Sequence, residues 1–141
     1  MKIHLVTDAR GLPLVARCEP ANRHDSVWFE VLIDAIPPTR TPSGQRRWRP
    51  GKVHADKGYA IPRCRQALRL RRIGDRIARV GIDPSDRLGP HRWVVEQSLA
   101  LLKRLRRVAV RYERRSDIYQ AFVTLACCLV CHRRLTALSG L

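Results

Sequence analysis

The sequence predicts a mixed α/β fold, and three observations carry that expectation. Short apolar runs rich in β-branched residues alternate with stretches of helical periodicity. Glycine and proline fall mainly between these runs, with Pro13 and Pro62 only at the starts of theirs. The 141 residues, 45% of them hydrophobic, are enough for a genuine core.

Taken in order, Ile3–Thr7 and Leu12–Cys18 read as strands, and Asp8-Ala9-Arg10-Gly11 supplies turn chemistry for a hairpin. Ser26 offers an N-cap to a helix carrying Val27, Phe29, Val31, Leu32 and Ile36, which Pro37-Pro38 ends. Residues 39–50 read as a basic, Pro-rich loop in which Arg46, Arg47 and Arg49 surround Trp48. Such a loop suits contact with a nucleic-acid backbone as well as it suits a solvated linker. Lys52–Ala55 is a short strand running into Asp56-Lys57-Gly58-Tyr59. A helix over Pro62–Arg72, a strand over Arg76–Val80, a polar stretch over Ile82–Pro90 and a helix over His91–Leu105 follow. Ser116 is placed to cap a last helix, residues 116–135, with Ile118, Phe122, Leu125 and Leu129 as its core face.

Charge narrows the partner. The formal net charge is +16 and the isoelectric point is about 11.2, which points to a polyanion, nucleic acid above all. Only Lys2, Lys52, Lys57 and Lys103 of the 28 basic residues are lysines. The N-terminus lacks the apolar run of a signal peptide, and the apolar stretch Ile118–Cys131 is too short to cross a bilayer. Five cysteines without an export signal read as reduced, structural thiols of a cytoplasmic, nucleoid-associated protein with no membrane partner. Cys128-Leu129-Val130-Cys131-His132 matches a haem-attachment spacing, but it falls inside an apolar helix and offers zinc no second ligand pair. His24-Asp25 and His54-x-Asp56 are two-residue combinations that arise often by chance, and both histidines are read as structural.

Two carboxylates stand out. Asp56 follows a strand, where functional groups gather in α/β sheets, with Gly58 permitting a tight turn. Arg92, Glu96 and Lys103 are spaced four and seven apart. At about 100° per residue these steps advance about 40° and return about 20°, so all three side chains share one narrow stripe. Spacing alone favours a surface salt-bridge ladder over the other reading, a metal ligand flanked by phosphate-binding cations.

The wider pattern resembles bacterial insertion-sequence transposases of the DDE type, in the IS-four/IS-five superfamily. His91-Arg92-Trp93-Val94-Val95-Glu96, with Lys103 beyond, is similar to the family's third block, although Gly89 stands where that block carries Tyr. His54-Ala55-Asp56-Lys57-Gly58-Tyr59 resembles the second block. Leu5–Leu14, Ala21–Ser26 and Arg111–Arg115 resemble stretches between and after the blocks, so the likeness covers nearly the whole chain.

The resemblance implies a ribonuclease-H-like catalytic fold in which three carboxylates hold divalent Mg²⁺ or Mn²⁺. Asp56 and Glu96 would be metal ligands, with Arg92 and Lys103 contacting DNA or positioning the Glu. Double-stranded DNA at terminal inverted repeats, and a target, would be the substrate of a homodimer. The family's first catalytic Asp lies on a central strand that would precede residue 1, while Asp8 and Asp25 match positions that are not catalytic. The chain is therefore expected to be a partial catalytic domain, residues 1–141, truncated at its N-terminus and completed by an upstream transposase segment. An inactive DNA-binding relic or transposition inhibitor is the alternative. A basic RNA- or ribosome-binding protein would explain the charge but not the two blocks.

Overall fold

A computed structural model describes residues 1–82 and 89–140, so most of the polar Ile82–Pro90 stretch lies outside the described residues. Two compact units emerge, one of Met1–Asn22 with Trp93–Leu141 and one of Arg23–Arg92. The described residues form helices and three separate two-stranded sheets, a mixed α/β composition.

The first unit opens on an antiparallel hairpin of β1 (Lys2–Thr7) and β2 (Pro13–Glu19), in register Ile3↔Cys18 and Leu5↔Ala16, with an irregularity at Val6/Thr7. Asp8 shapes the turn as expected. Its Oδ1 accepts the N–H groups of Arg10 and Leu12 at 2.9 and 2.8 Å. Gly11 is in the left-handed region, φ 82°, and a Cβ there would stand 2.8 Å from the Ser98 Oγ, so glycine is required twice over. Alternation sends Ile3, Leu5, Ala16 and Cys18 to one face, where they pack on Leu102, Val108, Tyr119, Val123, Ala126 and Val130. The other face carries a buried, hydrogen-bonded His4–Glu19 pair.

These core residues come from α3 (Gly89–Lys103), α4 (Arg106–Ala109) and α5 (Ser116–Leu138). Here the structure corrects three readings. First, α5 runs to Leu138, and its N-cap is Arg115, with no capping side chain, rather than Ser116. Second, its core face is Tyr119, Val123, Ala126 and Val130, while Ile118 and Leu125 are exposed and Phe122 and Leu129 half-buried. The two stripes are one residue, about 100°, apart. Both repeat at helical spacing, so periodicity could not choose between them. Hydrogen bonds choose. Tyr119 donates its O–H to the Val108 carbonyl at 2.8 Å. The Gln120 side chain accepts from Cys18 N–H at 2.8 Å and donates to the Ala16 carbonyl at 3.0 Å. Third, at 23 residues and a mean hydropathy of 1.4 over its most apolar window, α5 meets the length and composition needed to cross a membrane, contrary to the reading from Ile118–Cys131. One of its faces is nonetheless packed as a core helix. All five cysteines are free; Cys64 is buried, Cys128 exposed and the other three half-buried. Burial pushes the Cys18 and Cys127 thiols up to about 11.

The second unit begins with a 3₁₀ turn, Asp25–Trp28, leading into α1 (Phe29–Asp34). The cap is His24 rather than Ser26: its imidazole accepts from the Ser26 N–H at 3.3 Å and pairs with the Ser26 hydroxyl at 2.8 Å. The helix stops at Asp34, two residues short of Ile36, because Pro37-Pro38 forbids continuation. Residues 39–50 are not a plain loop. They hold a minimal hairpin of β3 (Thr39–Arg40) and β4 (Arg46–Arg47), turning at Gly44 with φ 82°.

β5 (Lys52–Ala55), α2 (Pro62–Leu70) and β6 (Gly74–Ile77) form a strand–helix–strand unit whose strands pair in parallel. The second strand starts two residues before the expected Arg76 because Gly74 pairs with Lys52, and it ends at Ile77 with the last residue of its four-residue partner. α2 ends before the expected Arg72, which adopts φ 55° in a left-handed cap. The Ile73 N–H closes that cap on the Leu68 carbonyl at 2.9 Å. Phe29, Ile33, Cys64, Ala67, Leu68, Ile73 and Ile77 make the core. Arg71 binds Asp34 through two nitrogens at 2.7 and 2.8 Å, and this hydrogen bonding holds the Asp34 carboxyl below the usual carboxylate range. Arg65 bridges Asp75 and the Ile77 carbonyl at 2.8 and 3.0 Å.

Candidate active site

Asp56 stands where a parallel strand delivers it, one residue past the carboxyl end of β5. It is exposed. Its Oδ1 accepts the Lys57 N–H at 2.8 Å, capping a 3₁₀ turn over Lys57–Tyr59. Oδ2 takes no hydrogen bond among the described residues, which leaves one carboxylate oxygen able to meet a cation. Gly58 lies against a second acid, since a Cβ there would be 3.5 Å from the Asp25 Oδ2. Asp25 begins the 3₁₀ turn, and its carboxylate also lies beside the Asp56 turn.

Glu96 lies on α3 with Arg92 and Lys103, and all three are exposed. Opposite them, Ser98 and Leu102 are buried. The Ser98 hydroxyl reaches the Gly11 carbonyl at 2.7 Å and the Val94 carbonyl at 3.0 Å, which fixes the rotation of the helix. The expected stripe is therefore on the open side of a helix pinned from behind. Asp56 belongs to the Arg23–Arg92 unit, and Glu96 and Lys103 to the other.

One contact escaped the sequence reading. The rings of His54 and His91 stack at 3.8 Å between centroids, 18° from parallel. His54 is two residues before Asp56, and His91 is in the first turn of α3; both belong to the Arg23–Arg92 unit. Burial, then the neighbouring His91, Lys52 and Arg76, hold the His54 imidazole below its ordinary value. Nothing in the spacing of two isolated histidines signals a stack. The buried His4–Glu19 pair was also missed; the register puts Lys2 opposite Glu19 and His4 opposite Arg17, so His4 and Glu19 are diagonal neighbours on one face.

The basic hairpin divides in role. Arg46 and Arg47 are exposed, and the Arg46 guanidinium lies 5.3 Å from the ring centre of the exposed Trp48. Arg49 instead donates to the Arg71 carbonyl at 3.0 Å, closing the end of α2.

Comparison with known proteins gives the family. Residues 1–131 match the family described as "Transposase DDE domain". The chain belongs to the DDE transposase family. It is 47% identical over 134 residues to a Burkholderia cepacia protein named as a transposase for insertion sequence element IS402, covering 95% of this chain and 64% of that one. It is 27% identical over 137 residues to a Brucella ovis protein named as a transposase for insertion sequence element IS6501, covering 92% of this chain and 95% of that one. The chain thus spans less than two thirds of the IS402 relative. No solved structure matches it. Membership in the DDE transposases implies a ribonuclease-H-like fold and carboxylate-held divalent metal. Asp56 and Glu96 are each an exposed carboxylate, the oxygen chemistry that hard divalent cations prefer.

Proposed function

We propose that this chain is the C-terminal catalytic part of an insertion-sequence transposase of the IS-four/IS-five type, cleaving and joining DNA strands at the element's terminal inverted repeats. Asp56 and Glu96 would hold Mg²⁺ or Mn²⁺. Such an ion stabilises charge on the attacking and leaving oxygens of an in-line displacement at phosphorus. Arg92 and Lys103, on the stripe of Glu96, would bind end phosphates. Arg46, Arg47 and Trp48, with Arg49 at the hairpin base, would bind the flanking backbone.

The observation that carries this reading is the placement of Asp56 at the carboxyl end of a parallel strand, inside a match to DDE transposases that also contains Glu96. The third carboxylate would come from an upstream segment contributing a strand to the sheet. Two features support that. The hairpin and the β5–β6 pair are separate sheets, and no strand among the described residues pairs with the outer edge of β1. The assembled enzyme would act as a homodimer on paired ends.

The test is cleavage of a plasmid carrying the element's ends, by the chain alone and with the upstream segment supplied. Cleavage is expected only with both parts. It should stop on chelation and be lost in Asp56→Asn and in Glu96→Gln. Cleavage that survives both substitutions overturns the assignment. DNA binding without cleavage, even with the upstream segment, favours the relic or inhibitor.

A further inference from the structure

Resting on the reading that this chain acts on DNA, we propose that residues 103–115, which join α3 to α5 through α4, form a further DNA-backbone surface with Tyr112 as its aromatic platform. The segment holds seven cations, Lys103, Arg104, Arg106, Arg107, Arg111, Arg114 and Arg115, against one acid, Glu113. Every one of the seven is exposed.

The surface is built rather than merely charged. The Arg111 guanidinium donates to the carbonyls of Glu113 and Arg114, both at 2.8 Å, and so folds the turn before α5. Arg107 pairs with Glu113 at 2.9 Å. Arg106 and Arg107 lie 5.8 and 5.5 Å from the centre of the Tyr112 ring, and the Tyr112 oxygen accepts from the Arg106 Nε at 3.3 Å. Tyr112 is held in place yet 53% exposed, so part of a π-face flanked by cations remains in solvent. Arg104 and Arg114 make no ion pair among the described residues. α5 begins directly beyond; its N-cap Arg115 pairs with Asp117 in the first turn, whose carboxylate accepts the Ile118 N–H at 3.0 Å.

Seven like charges on so short a stretch repel one another, and the two carboxylates that pair there, Glu113 with Arg107 and Asp117 with Arg115, leave a net excess of five. A polyanion removes the repulsion, and the guanidinium fork fits phosphate in a two-point contact. Duplex DNA supplies regularly spaced phosphates and releases counterions when they are met.

The experiment measures binding of the full chain to a fluorescent duplex of unrelated sequence across a salt series. Arg104→Gln with Arg114→Gln should lower the slope of log affinity against log salt by about 2, roughly one for each phosphate no longer met. The paired lysine variant, Arg104→Lys with Arg114→Lys, should keep the slope, since it keeps the charge. An unchanged slope in the glutamine pair overturns this surface while leaving DNA binding intact. A lysine pair whose slope falls as the glutamine pair's does overturns it too, since charge is then not what was removed. Absence of salt-dependent binding by the unaltered chain overturns the DNA reading itself, and this surface with it.

Discussion

In the Arg23–Arg92 unit, arginines fasten the helices from outside: Arg71 to Asp34 and Glu30, Arg63 to Glu30, Arg65 to Asp75. In the unit formed by the hairpin and the C-terminal helices, neutral side chains join elements distant in sequence, Gln120 to β2, Tyr119 to α4 and Ser98 to the Gly11 turn, beside the buried His4–Glu19 pair. The two arrangements carry different stakes. Arg63 and Asp34 are 66% and 60% exposed, so water screens their pairs and each contributes little. A backbone group inside the other unit, left without its partner, incurs the full desolvation penalty. The unit bearing Asp56 is therefore held by its apolar core with charge as trim. The unit bearing Glu96 depends on a few particular hydrogen bonds for its geometry.

The largest expected effects come from emptying each core. Leu68→Ala and Leu102→Ala remove fully buried side chains and should each cost about 2–5 kcal/mol. Hydrogen exchange should show weakened protection in α2, β5 and β6 for the first and in β1, β2 and α5 for the second. Protection weakened uniformly across the chain by either variant would erase the distinction between the units. Next comes the rotation of α5. Val123→Ala should cost about 2 kcal/mol, whereas Leu125→Ala should stay within about 0.5 kcal/mol. Chemical denaturation measures both, and the reverse ranking would restore the stripe that periodicity suggested.

A smaller loss, about 1–2 kcal/mol, is expected for Gln120→Leu, which strands the Cys18 N–H and the Ala16 carbonyl. A neutral result in thermal melting would show that those groups find water, and that the neutral contacts matter no more than the ionic ones. The smallest effect is a gain. Arg72→Gly should raise stability by roughly 0.5 kcal/mol, because a β-carbon is disfavoured at that left-handed position and glycine's extra freedom when unfolded offsets part of the benefit. A loss in the same measurement would mean that the Arg72 side chain, not its backbone, matters to α2.

These contrasts also explain what the sequence could disclose. The hairpin was legible because alternation and a turn motif agree over Ile3–Cys18, and the Asp8 carboxylate then behaves as such motifs do. The strand ahead of Asp56 and the helix bearing Arg92, Glu96 and Lys103 were legible for the same reason: one periodicity, one answer. α5 offered two apolar stripes, and its rotation is set by residues distant in sequence, Cys18, Ala16 and Val108. The cap by His24 hid behind a better-known capping residue beside it. The His54–His91 stack joins two motifs that each read as complete without it.

Gln120 has one more consequence. Its amide occupies the outer edge of β2 at Ala16 and Cys18, while the outer edge of β1 pairs with no strand among the described residues. Unprotected sheets with two free edges propagate, each added strand presenting a fresh template. A sheet with one blocked edge has a valence of one. Strands can add on the β1 side only, and growth through the β2 side stops at Gln120.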